Sequence, residues 1–100
     1  MSKRNEYVLG LIINGKKINR VIIDQHYKKN HKDISDELIL KLVATLNGGE
    51  FDIEMKKGVF EYFVVEPVFY EFKVYRLVLL LCIHDNIIDV INAFRVKGSF

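Results

Sequence analysis

The segment from Tyr75 to Val96, YRLVLLLCIHDNIIDVINAFRV, constrains the fold of this chain more than any other. Two strongly apolar stretches flank a polar turn at Asp85-Asn86, and an arginine stands near the outer end of each, Arg76 on one side and Arg95 on the other. Strands this apolar belong in the middle of a sheet that is buried on at least one face, so the hairpin is expected to form the core of the fold. A two-residue turn at Asp85-Asn86 sets Cys82 opposite Asp89, Leu80 opposite Ile91 and Arg76 opposite Arg95. Two guanidinium groups side by side repel, so such a pair calls for a shared carboxylate or an anionic ligand such as phosphate, unless both splay into solvent at the open end. A three-residue turn at His84-Asp85-Asn86 instead puts Tyr75 opposite Arg95 and sends the two arginines to different faces.

One hundred residues, half of them hydrophobic, are enough for one core and too few for two, which predicts a single domain over 1–100. No run approaches the roughly 18 apolar residues of a membrane helix, and the polar start MSKRNEY lacks a signal-peptide pattern. The expectation is a cytoplasmic protein with no membrane partner. Cys82 is the single cysteine, which rules out a disulfide framework; within an apolar strand it reads as a buried, inert thiol. No Cys/His spacing fits a zinc site, so neither a metal nor another cofactor is expected.

The net charge of +2 hides an uneven distribution. From Gly15 to Lys32, Lys16, Lys17, Arg20, Lys28, Lys29 and Lys32 face Asp24 alone, whereas from Asp33 to Glu71 nine acids face Lys41, Lys56 and Lys57. Separated zones of this kind offer one face to a polyanion and keep the other away from it, or are simply two solvated faces.

Tyr7 to Ile13 and Lys17 to Asp24 read as strands joined through Asn14-Gly15, the strongest short hairpin signal in the chain, and suit an edge pair. The polar, basic QHYKKNHKD follows as a loop or short helix. The main helix is predicted from about Asp36 to Asn47. Ser35 caps it, Asp36 and Glu37 place negative charge on its first turn, Ile34 packs on Ile39 and Gly48-Gly49 stops it. Its stripe of Leu38, Ile39, Leu42, Val43 and Leu46 should lie on the sheet. Phe51 to Lys57 reads as a loop or irregular strand and Val59 to Glu66 as a strand, with Phe60 and Tyr62 on one face; Pro67 then demands an edge, bulge or turn. The fold class expected is α+β, an antiparallel sheet with one main helix, and room for a second short one, packed on one face.

The segment DQHYKKNH, the helix ISDELILKLVATLNGG, the strand VYRLVLLLCI and the closing strand NIIDVINAFRV, taken in that order, resemble the small RelE-like ribonuclease toxins of the barnase–EndoU–RelE superfamily. The resemblance runs from about Ile18 to Lys97 and rests on pattern and element order. It implies metal-independent cleavage of RNA by attack of a ribose 2′-hydroxyl on the adjacent phosphate, in a protein held inactive by an antitoxin or immunity protein. That chemistry needs a base, an acid and cations for the charge building on the phosphoryl oxygens. His26 and His31 would trade protons, Lys28, Lys29, Arg76 and Arg95 would hold phosphate, and Tyr27 or Tyr75 would stack on a base or donate a proton. The catalytic set so implied is His26, His31, Arg95 and Tyr75. Five residues separate the two histidines' numbers, about 140° of turn on a helix, so they share one site only if the segment is not regularly helical. Solvated histidines are the plain alternative, and His84 beside the turn reads as a surface residue. Asn92, mid-strand, must find a hydrogen bond.

The competing reading is a non-enzymatic protein-binding module, such as an immunity or antitoxin-like protein or a sheet domain that pairs with another chain. The acids between Asp33 and Glu71 favour it, because nuclease inhibitors mimic nucleic acid with carboxylates; the basic segment and the arginines favour the nuclease. The two are told apart by whether His26 or His31, Lys28 or Lys29, and Arg95 converge in one concave patch.

Overall fold

The structure is a computed structural model, and residues 4–25 and 33–96 are described. Seven elements follow in chain order: β1 (Arg4–Ile13), β2 (Lys16–Asp24), α1 (Asp36–Ala44), β3 (Met55–Lys57), β4 (Phe60–Tyr70), β5 (Lys73–Cys82) and β6 (Ile87–Arg95). The six strands make one sheet in the order β1-β2-β6-β5-β4-β3, so the apolar β5–β6 hairpin occupies its centre and β1 an edge. The class is α+β with one helix among the described residues, as the sequence predicts. A wholly antiparallel sheet is corrected at one junction: β2 runs parallel to β6, with Arg20 paired to Ile87 and Ile23 to Val90. A hairpin placed beside the closing strand gains neighbours on both sides of β2, which its run Val21-Ile22-Ile23 suits.

Turn chemistry fixes the first hairpin. Asn14 and Gly15 both take positive φ, 53° and 74°, as a two-residue turn of the primed type requires, and Ile13 pairs with Lys16. The Asn14 side chain then accepts the Phe51 N–H at 2.5 Å, and its own N–H donates to the Gly49 carbonyl at 3.0 Å. The helix begins where its cap stands: Ser35 Oγ accepts the Leu38 N–H at 3.1 Å, and Asp36 and Glu37 sit at the positive end of the helix dipole. It ends at Ala44, three residues short of the predicted Asn47, and non-helical turns carry the chain on to Gly48, whose φ is +83°.

One core unites the helix with one face of the sheet. Ile39, Leu42 and Val43 of α1 are fully buried together with Ile18, Val21, Phe63, Leu77, Leu79 and Ile88 of the strands. The helix is pinned at its start by Asp36, whose carboxylate accepts from Asn5 Nδ2 at 2.8 Å, Tyr7 Oη at 2.5 Å and Gln25 Nε2 at 3.1 Å. Beyond its end, Asn47 Oδ1 accepts the Ile12 N–H at 2.8 Å and the Gly48 N–H donates to the Ile12 carbonyl at 2.7 Å, which closes the far end of the edge strand β1.

β4 runs through Pro67 by means of a register shift between Val65 and Val68, the bulge that a proline inside a strand demands. On β5 and β6, Cys82 pairs with Ile87, so the connection is the four residues Ile83 to Asn86, and a further shift between Val78 and Leu79 leaves Ile91 extra. Asn92 at this bulge is half-buried, and its Oδ1 accepts the Ala93 N–H at 2.9 Å. Beyond the shift Tyr75 pairs with Arg95, and Arg76 with Phe94. The expected side-by-side arginine pair is therefore not formed. Adjacent residues of a strand point to opposite faces, so Arg95 lies on the helix-bearing side and Arg76 on the other.

Candidate interaction face and the Tyr75–Arg95 pair

Strands β4 and β5 are apolar on both faces, and the described residues supply one helix to cover them. Glu61, Phe63, Val65, Leu77, Leu79 and Leu81 turn to the helix and are buried. Their neighbours turn the other way. The registers set Phe60 beside Cys82 and Ile87, Tyr62 beside Leu80 and Asp89, and Val64 beside Val78 and Asn92. Met55 extends the second of these rows on one side and Ile22 on the other. No described element lies over these rows, and Met55 and Phe60 are 63% and 44% exposed. Two shallow hollows mark the surface: one of about 400 Å³ between Met55, Lys57, Phe60, Tyr62 and Leu80, the other of about 360 Å³ reaching from Phe60 and Leu80 to Ile22 and Ile87.

The arginines on this uncovered face are ion-paired within the chain, whereas Lys57 has no ion pair among the described residues. Arg20 Nη1 lies 3.3 Å from Glu6, and Arg4 donates to Asp24 at 3.0 Å and also holds the buried Asp89. Arg76 Nε faces Glu66 at 3.3 Å without hydrogen-bond alignment, while its guanidinium carbon lies 5.5 Å from the centre of the Phe94 ring. Cys82, expected to be buried, is half-exposed here, with Sγ 3.5 Å from Asp85 Oδ2. His84 is a surface turn residue, as expected, with 80% of its side chain exposed.

Of the residues proposed for RNA chemistry, Tyr75 and Arg95 stand together as cross-strand partners, and Arg76 is on the opposite face. Tyr75 is 4% exposed. Burial pushes its hydroxyl above the ordinary tyrosine value against the pull of the Arg95 guanidinium, and the charges of Asp33 and Glu71 raise it further. His26, Tyr27, Lys28, Lys29 and His31, and with them the possible second short helix, lie outside the described residues. The acidic zone contributes Glu50, Asp52 and Glu54 to the surface, alternating with half-buried Phe51 and Ile53, whereas Glu61 is 5% exposed and takes Lys16 Nζ at 2.8 Å. Among the described residues no group of three or more His, Cys, Asp or Glu is arranged to hold a metal, and no helix is long and apolar enough to cross a membrane.

Sequence reasoning did not join Ile22, Tyr62, Val64, Val78 and Leu80 into one uncovered face. The signal was present: a strand such as Tyr75-Arg76-Leu77-Val78-Leu79-Leu80-Leu81 is apolar at both parities, and a single helix cannot cover two faces. Comparison of the chain with protein-family models, curated proteins and solved structures finds no match in any of the three.

Proposed function

We propose that this chain is a non-enzymatic protein-binding module whose uncovered sheet face receives another protein surface. The observation that carries the reading is the apolar patch centred on Leu80, with aromatic and methionine side chains exposed at its edge and its arginines already held in ion pairs. Contiguous apolar patches beyond a few hundred Å² on a small domain mark interaction surfaces, and Tyr, Phe and Met are enriched at their centres. An immunity or antitoxin-like role in the cytoplasm belongs to the same proposal. The test is capture. A tagged chain, expressed beside a differently tagged second copy, is recovered from cells together with whatever it holds, in parallel with Leu80→Arg. Wild type retaining a protein that the correctly folded variant does not retain supports the reading; equal retention by both, or none by either, overturns it.

A second reading, a metal-independent endoribonuclease of toxin type, is favoured by one observation. Arg95 and Tyr75 are paired, and Asp33, where the described chain resumes after 26–32, acts on the Tyr75 hydroxyl. In that reading Arg95 holds phosphate, Tyr75 is an un-ionised hydroxyl at neutral pH, and His26 and His31 carry the acid and base roles. Incubation of a mixed RNA pool with chelator tests it. Cleavage that falls by at least about 100-fold in His26→Ala or His31→Ala is expected, the effect of a missing acid or base. Failure of the wild type to cleave, or full activity in Arg95→Ala and both histidine variants, removes it.

A further inference from the structure

The uncovered face is shaped and charged in a way that narrows what can cover it. Three properties matter. Its central row runs from Ile22 through the buried Asp89, which Arg4 holds, to Leu80, Tyr62 and Met55, apolar on four of the five strands it crosses. Its arginines each lie in an ion pair inside the chain, Arg20 with Glu6, Arg4 with Asp24 and Asp89, and Arg76 with Glu66, while Lys57 at one margin has no ion pair among the described residues. Its relief pairs projecting side chains, Met55 and Phe60, with hollows of about 400 and 360 Å³ on the same surface.

A polyanion would gain little here, because each arginine on the face already has a carboxylate. A strongly charged protein would have to break those pairs and desolvate them, which costs more than it returns. The surface that meets this face without repulsion is one equally apolar and equally neutralised. The face itself is such a surface. We infer that the occupant is a second copy of this chain, packed face to face through a two-fold axis near Leu80; the inference rests on the binding-face reading above and names its partner. In an isologous contact every pairing is made twice, so whatever Met55 and Phe60 of one copy bury on the other is buried again by their counterparts.

The area is sufficient. Strands about 4.8 Å apart give a face roughly 24 Å across, and three rows of side chains about 6.8 Å apart, with their van der Waals margins, give roughly 20 Å along the strands. Two such faces in contact bury about 1,000 Å² of plane, more once the corrugation of the side chains is included, which meets the lower bound of a biological interface. Two sheets stacked about 10 Å apart with strands within about 30° of parallel would close a sandwich around this second apolar layer, each helix remaining on the outside.

Sedimentation velocity of the purified full chain across the micromolar range tests the inference, with Leu80→Arg, Met55→Asp and, as a control away from the face, Phe72→Ser at the exposed β4–β5 turn. The expected result is a dimer for the wild type and for Phe72→Ser, and a dissociation constant raised at least about 100-fold in Leu80→Arg, the effect of a charge at a buried centre. Met55→Asp, at a position 63% exposed in the single chain, keeps the test decisive if Leu80→Arg fails to fold. A monomeric wild type overturns the second copy as occupant. The binding face itself then stands if the capture experiment recovers a different protein that Leu80→Arg does not hold, and falls if it recovers none. A dimer unaffected by both face variants places the contact elsewhere and overturns the inference.

Discussion

Tyr7 donates its hydroxyl proton to Asp36 at 2.5 Å, a bond that ties the edge strand β1 to the first turn of α1. The hydrogen bond to the carboxylate, helped by burial and by the Asp36 charge, raises the Tyr7 hydroxyl above its ordinary value of 10.0. A group whose value is raised on folding contributes stability in full below its unfolded value and loses it as the pH rises through the folded one. Urea unfolding between neutral pH and pH well above 10 is therefore expected to show an alkaline loss of stability that is reduced in Tyr7→Phe. At neutral pH the variant is expected to be less stable by about 1 kcal/mol, since Asp36 keeps its bonds to Asn5 and Gln25.

Leu42 is fully buried between α1 and the sheet. Leu42→Ala is expected to cost about 2–5 kcal/mol in urea unfolding, because both the transfer energy and the packing are lost. A cost within about 0.5 kcal/mol of zero, the range of surface positions, would contradict the packing of the helix on this face.

Gly49 has no room for a side chain. A Cβ there would lie 2.7 Å from Phe51 Cζ and 2.9 Å from Cε2, and Phe51 is itself stacked on the buried Phe63 with ring centres 6.0 Å apart. Gly49→Ala is expected to destabilise by about 1–3 kcal/mol through displacement of the Phe51 ring, and Phe51→Leu in the same chain should recover part of that loss.

Arg76 and Arg95 lie on opposite faces of the sheet and share no described partner. Arg76→Ala and Arg95→Ala are expected to act on stability independently, adding within about 0.5 kcal/mol in the double variant. Coupling well beyond that, or a jointly bound sulfate or phosphate, would contradict the register described for β5 and β6.

Local features of the sequence were legible because local physics decides them. Ser35 caps the helix, Asn14-Gly15 makes the primed turn, Pro67 coincides with a bulge and the apolar hairpin takes the centre of the sheet. The arginine pairing was not legible. It depended on a four-residue connection instead of two and on one extra residue at Ile91, and a change of one in register moves every subsequent side chain to the other face. The edge pair was foreseen, but the parallel contact of β2 with β6 was hidden: nothing in the local composition of Val21-Ile22-Ile23 tells in which direction its neighbour runs. Of the candidate nuclease residues only Tyr75 and Arg95 came together among those described, the pairing that a three-residue turn would also give, reached here by a four-residue connection and the bulge at Ile91.

The parallel seam between β2 and β6 also sets the order in which this protein can be completed. Arg20 cannot meet Ile87 until β6 has left the ribosome, so the first hairpin must wait, with the inner edge of β2 unpaired, through the synthesis of the helix and of the three strands between. A nascent chain in that condition exposes a β-edge rich in isoleucine and valine for longer than a simple meander would, and translation speed and chaperone access become determinants of its yield.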